Sequence, residues 1–217
     1  MNLLLFYLSK INKKKAERLY RFWLKFFNKN KNFTIISNNC FGGGIYESLN
    51  LPYLTPTVGL FFYAPDYILF LKNLKQNLYT DIEFRNKSKY EEANVFRETK
   101  KWFYPIGFLD NGIEIHFMHY KTNKEALTKW KRRAERVKFD NLYIKFCDRD
   151  LCTDELAIEF DKLNFKNKVF FSSKKKDLNS LVYLPYYENK ECIGDLYNAP
   201  WTYRKEINIL KWIKKYE

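Results

Sequence analysis

The chain has two histidines, His116 and His119, and they stand three residues apart in the stretch Glu114-Ile115-His116-Phe117-Met118-His119. If the run from 113 to 118 is a strand, Glu114 and His116 share one face and His119 lies beyond it or opposite. A histidine oriented by a carboxylate can take a proton from a substrate hydroxyl or from a thiol. A thiol is available at Cys40, in Ser37-Asn38-Asn39-Cys40-Phe41-Gly42-Gly43-Gly44. A thiolate near a helix N-terminus and basic groups is an activated nucleophile. A small buried thiol beside a glycine turn is the plainer role, and both stay open.

The same stretch carries three of the chain's seven glycines. A strand that exits into a glycine-rich turn before a helix can aim backbone N–H groups at a phosphate or carboxylate. Asn38, Asn39, Gly42, Gly43 and Gly44 are therefore expected to bind substrate. The run is neither GxGxxG nor GxxxxGK[ST], so no dinucleotide or P-loop fingerprint is present. A third group lies in "EALTKWKRRAERVK", where Lys129, Arg132, Arg133 and Arg136 recur at three- and four-residue spacing. They form a cationic stripe able to hold phosphate, or a solvated face paired with Glu125 and Glu135. A fourth is "CDRDLCTDE", whose Asp148, Asp150, Asp154 and Glu155 could hold a divalent ion against a diphosphate, although helix capping explains Thr153 or Asp154 better. The H-x2-H and C-x4-C spacings of His116, His119, Cys147 and Cys152 depart from common zinc patterns, so no metal site is assigned and no cofactor is named.

The elements that must position these groups read as follows. Residues 11–30 predict an amphipathic helix with Leu19, Phe22, Trp23, Phe26 and Phe27 on one side and lysines over the rest. Residues 32–37 predict a buried strand, 45–51 a short helix, and 52–65, with three prolines, an irregular segment. A helix is expected over 65–80, a short strand over 81–84, and a loop or surface helix over 85–101. Residues 102–120 predict two strands joined at Asp110-Asn111-Gly112, since that turn supplies the positive φ of a hairpin. Thr122 and Glu125 match a capping box for the helix that follows. Strands at 141–148, 168–173 and 181–187 alternate with a helix at 153–164, and a last helix is expected over 202–217.

This alternation predicts an α/β layered domain with a mixed, largely parallel sheet flanked by helices. The expected organisation is an N-terminal amphipathic helix, residues 1–32, followed by one α/β domain, residues 33–217. Hydrophobic residues make up 46% and aromatics 19%, which excludes a disordered chain. The net charge of +14 attracts anions, though a Lys- and Asn-rich composition accounts for part of it. Four cysteines without a framework pattern read as reduced thiols. No secretory signal and no window of about 20 apolar residues is found. The expected place is the cytoplasm, with the basic N-terminal helix able to rest on the inner face of the membrane.

The stretches "IISNNCFGGGIYESLNLPYLTPTVGLFF", "PDYILFLKNL", "YPIGFLDNGIEIHFMHYKTNKEALTKWKRRAERV" and "DRDLCTDELAIEFDKLNFKNKVFF" together resemble a bacterial family of unknown function associated with exopolysaccharide and capsule loci. The resemblance covers roughly residues 33–171. It implies an α/β fold and a role in surface-glycan synthesis, and it carries over no catalytic residue. The leading expectation is thus a transferase acting on an anionic sugar or nucleotide-sugar. The Gly42–Gly44 turn and Arg132, Arg133 and Arg136 would hold the phosphates, and His116 or His119, oriented by Glu114, would be the base. A Cys40-dependent acyltransferase or hydrolase is the second expectation. A non-catalytic module binding nucleic acid or a membrane surface is the third. Nucleic acid is the least expected partner, because no RRM, KH or zinc-finger signature is present.

Overall fold

The computed structural model describes residues 13–214. Four parallel strands form the main sheet, in the order β1 (Thr34–Ser37), β5 (Leu142–Cys147), β6 (Asn167–Ser172) and β7 (Leu181–Tyr183). Every pairing in it is parallel. A second, antiparallel sheet is made of β2 (Glu83–Arg85), β3 (Ile106–Phe108) and β4 (Glu114–His116). The fold is α/β, with a parallel sheet flanked by helices and a small antiparallel sheet beside it. The two sheets are joined through Phe61, which exchanges backbone hydrogen bonds with His116, while the neighbouring Phe62 N–H donates to the Asn38 carbonyl.

Strands β1, β5 and β6 are largely buried on both faces, which is why they read as apolar runs, while the edge strand β7 is half-buried. Ile36, Ile144, Phe146 and Phe170 enter one core with helices α3 (Ala64–Lys72), α4 (Leu74–Tyr79), α6 (Asn123–Ala134) and α7 (Asp154–Lys162). The alternate residues Ile35, Tyr143, Cys147, Val169 and Phe171 enter a second core. That core is closed by α1 (Lys13–Phe27), α2 (Phe41–Leu49) and α8 (Ile209–Trp212). Helix α5 (Glu91–Lys100) is tied to the segments flanking the small sheet by Arg97, which donates to the Asn86 and Tyr104 carbonyls. In α6 the Thr122 side chain accepts from Glu125 N–H at 3.1 Å, which satisfies one of the helix's orphan donors, and the Glu125 carboxylate reaches back past the cap to accept from Lys121 N–H at 2.9 Å.

Three local expectations are corrected. Gly42–Gly44 lie in the first turn of α2, not in a loop. The helix expected over 65–80 breaks at Asn73 into α3 and α4. In the C-terminal stretch expected to be helical, only Ile209–Trp212 is α-helix among the described residues, with a 3-10 turn at Pro200–Thr202. Tyr203, Ile209 and Ile213 each reach the second core, and the chain bends to seat all three. Residues 11–12 of the expected first helix and 215–217 of the expected last one lie outside the described residues. Helix α1 packs Tyr20 and Leu24 into the second core, and Arg204 holds its Glu17 at 2.6 Å. Among the described residues no helix is long and apolar enough to cross a membrane.

Candidate functional site

The carboxyl ends of β1 and β5 open into a cleft, where open α/β sheets bind ligands. Strand β1 delivers Asn38, Asn39 and Cys40, and β5 delivers Cys147, Asp148, Arg149 and Asp150. The main chamber has a volume of about 640 Å³, and Asn39, Cys40, His119, Arg149, Asp150 and Asp195 are among its lining residues. One wall is aromatic, built of Phe61, Tyr63, Phe96, Trp102 and Tyr104. A smaller chamber of about 240 Å³ adjoins it and contains Gly43, Tyr53, Gly59, Lys129 and Arg133. Cys40, His119 and Tyr197 line both chambers.

The floor is held by a lysine that the motif reading missed. Lys145 on β5 is fully buried, and its Nζ donates to Asn38 Oδ1 and Asn39 Oδ1, both at 3.0 Å. The two amides in turn donate to Cys147 Sγ at 3.4 and 3.5 Å. A buried ammonium needs such oxygens to offset its lost hydration. A lysine inside the apolar run "LYIKFC" was the available signal. Asn38 is itself buried and occupied by this network, so it positions the floor, and Asn39 is the amide that meets the cleft.

The two histidines part company. His116 is fully buried behind the aromatic wall, stacked on Phe61 with ring centroids 4.4 Å apart. Its Nε2 is 2.7 Å from Glu114 Oε1, off the line of an aligned hydrogen bond, and its Nδ1 is 3.2 Å from the Tyr104 hydroxyl. Glu114 is also fully buried and accepts from the Ser88 hydroxyl and, at 2.8 Å, from Lys89 N–H. Burial pushes its carboxyl up, but His116, Ser88 and the Lys89 N–H together hold it below the ordinary value. Lys89 Nζ reaches Asp66 at 2.6 Å and the Gly112 carbonyl at 2.7 Å, tying the hairpin to the first turn of α3. His119 is exposed and lines the cleft, its N–H bound to the Gly59 carbonyl at 3.0 Å.

Cys40 shares the cleft with His119, yet burial pushes its thiol up to about 11, and the nearby Asp195 carboxylate adds to the rise. The Gly59 N–H and Lys145 oppose this without overcoming it. This is the reverse of an activated thiolate. The glycines of α2 serve close packing. A methyl at Gly42 would stand 3.1 Å from Ile35 Cγ2, one at Gly43 3.2 Å from Val58 Cγ1, and one at Gly44 3.0 Å from the Tyr197 ring. Gly43 alone of the three lines the cleft, in its smaller chamber.

The arginine stripe divides. Arg133 is buried in the smaller chamber, donates to the Tyr120 hydroxyl at 2.6 Å and lies over the Tyr53 ring. Arg132 is exposed and Arg136 half-buried, and neither lines the cleft. Arg149, which motif reading did not select, lines the main chamber, where Asp150 and Asp195 act on it only through space. Asp150 and Leu151 hold left-handed backbone, φ 58° and 65°, a conformation unfavourable for residues other than glycine. The Asp150 carbonyl is anchored by the Ala64 N–H at 2.7 Å. Burial raises the Asp150 carboxyl's pKa, with Arg149 and Lys145 opposing. Asp148 is a clamp: it accepts from the Ser172 hydroxyl, Ser173 N–H and Ile193 N–H. Thr153 caps α7 by accepting from Leu156 N–H at 3.3 Å.

A family described as a domain of unknown function (DUF1919) matches residues 8–214. A Haemophilus influenzae (strain Rd) protein, described as uncharacterized, is 35% identical over 188 residues, 84% of this chain and 84% of that protein. The chain belongs to the DUF1919 family.

Proposed function

We propose that this DUF1919 protein is a transferase of bacterial surface-polysaccharide assembly that acts, on the cytoplasmic side of the membrane, on an anionic, phosphate-linked sugar. A nucleoside-diphosphate sugar or a lipid-diphosphate sugar has the required chemistry. The reading is supported above all by one observation: an aromatic wall faces a guanidinium, Arg149, that makes no hydrogen bond or ion pair among the described residues. Aromatic faces suit the C–H faces of a sugar ring, and Asn39, Asp150 and Asp195 offer partners for its hydroxyls. An unengaged guanidinium suits a phosphate, which it meets with two parallel hydrogen bonds. Arg133 and Lys129 add cations at the adjoining chamber. In this scheme His119 takes the proton from the acceptor hydroxyl, because it is the histidine that reaches the cleft. The surface-polysaccharide context rests on the resemblance carried by "SNNCFGGG" and the stretches after it.

A Cys40-dependent acyl transfer is the second reading, favoured by the shared lining of Cys40 and His119 and opposed by the raised thiol. A non-catalytic basic module would need neither the aromatic wall nor a histidine at the cleft.

The test is calorimetric titration with a panel of nucleoside-diphosphate sugars, sugar phosphates and lipid-diphosphate sugars. At least one should bind, and Arg149→Ala should weaken it about tenfold or more, the effect of losing a charge-assisted hydrogen-bonded pair. Arg132→Ala, outside the cleft, should leave it unchanged. No binding across the panel, or equal binding by Arg149→Ala, overturns the reading.

A further inference from the structure

Helix α1 has two apolar sides. Tyr20 and Leu24 are buried in the second core, and Glu17 on the same side is taken by Arg204 and Arg21. The opposite side, at three- and four-residue spacing, carries Leu19, Phe22 and Phe26. Phe22 is 68% and Phe26 71% exposed, and their rings stack 6.2 Å apart. Phe27, at 53% exposure, packs edge-on against Phe26 at 5.0 Å. Cations flank this strip: Lys15, Arg18 and Lys25 on the helix and Lys29 just beyond it are all exposed. The helix's single acidic residue, Glu17, faces the domain.

We propose that this outward edge of α1 docks on an anionic lipid bilayer, with the phenylalanine rings at the acyl boundary and the cations among the headgroups. An aromatic strip with a purely cationic border is complementary to such a surface. It is poorly complementary to itself, since pairing two copies through this strip would bring their cationic borders together. The docked helix would also face the substrate's route. A groove of about 540 Å³ between α1 and residues 196–204 is lined by Arg18 and Arg21 beside Glu17 and Glu47 and reaches Tyr197 and Asn198, which line the main chamber as well. The inference stands on α1 and not on the chemistry of the cleft, so vesicle docking and sugar binding fail separately.

The experiment is co-sedimentation of the full chain with phosphatidylglycerol–phosphatidylcholine vesicles and with pure phosphatidylcholine vesicles, alongside light scattering of the protein alone. The chain should sediment with the anionic vesicles and be released as salt is raised. The double change Phe22→Ser with Phe26→Ser should weaken this roughly tenfold or more. Because both rings are exposed, it should leave the melting temperature and sugar binding as they were. Absence of binding to anionic vesicles, or equal binding by the double variant, overturns the proposal. So does a wild-type dimer that the double variant converts to monomer, which would assign the strip to a second copy.

Discussion

The Tyr104 hydroxyl lies 3.2 Å from His116 Nδ1, and of the two it is Tyr104 that faces the cleft. A fully buried histidine can act on a bound ligand only through such a neighbour. Burial pushes the Tyr104 phenol up to about 12, with Arg97 opposing, so at neutral pH it keeps its proton and can donate a hydrogen bond. Tyr104→Phe should leave substrate affinity within about twofold and cost about 1 kcal/mol of stability. It should lower turnover by about tenfold or more, the scale of losing one hydrogen bond aimed at the reacting group. Wild-type turnover by the folded variant would reduce Tyr104 to a piece of wall.

The Glu114 carboxyl is held below its ordinary value near 4.5. A group whose folded pKa is depressed contributes stability that is fully present above the unfolded pKa and is lost as pH falls through the folded one. Thermal melts should therefore lose this contribution as pH drops below about 4.5, while the contribution stays constant above about 6. Glu114→Gln should flatten that acid limb relative to wild type and lower stability at neutral pH by about 2 kcal/mol. An acid limb identical in both proteins would show that Glu114 gains nothing from His116 and Ser88.

With its thiol at about 11, Cys40 is almost wholly protonated at neutral pH. Iodoacetamide at pH 7.4 should label it about a hundredfold more slowly than an ordinary thiol. The rate should climb toward pH 11, the stability that the neutral thiol contributes being lost over the same rise from about 9. Cys40→Ser should retain turnover. Labelling that titrates like a free cysteine, with loss of turnover in Cys40→Ser, would restore the covalent mechanism.

Gly42 and Gly44 should respond differently to alanine. The methyl at Gly42 meets Ile35, a buried strand side chain that cannot yield, so overpacking outweighs the gain in helix propensity. Gly42→Ala should cost about 1–2 kcal/mol in denaturant unfolding. The methyl at Gly44 meets Tyr197, an exposed ring that can swing aside. Gly44→Ala should be neutral or stabilising by up to about 1 kcal/mol, yet it should alter substrate affinity because Tyr197 lines the cleft. Equal destabilisation by both would refute this account of the glycines.

Much of the framework was legible because its signals are local. The apolar runs "NFTIIS" and "NLYIKFC" marked β1 and β5, Asp110-Asn111-Gly112 marked the hairpin, with φ 78° at Gly112, and Thr122 with Glu125 marked the start of α6. The glycine run misled for a physical reason. Glycine's poor helix propensity argued for a loop, but Ile35 and Val58 crowd Gly42 and Gly43 at about van der Waals contact, and packing overrides propensity. The site was legible only in outline. The sequence by itself placed Cys40, Asn39, His119 and the arginine helix as candidates, through residue type and strand-end position. It could not choose between histidines three residues apart. Strand β4 ends at His116, and the tight turn from Phe117 to Tyr120 then carries His119 to the other side of the wall. Nor could it single out Arg149 or Tyr104, whose roles depend on which groups approach them from distant segments. Periodicity is written along the chain, whereas burial, desolvation and the partner of each polar atom arise only when the chain closes on itself.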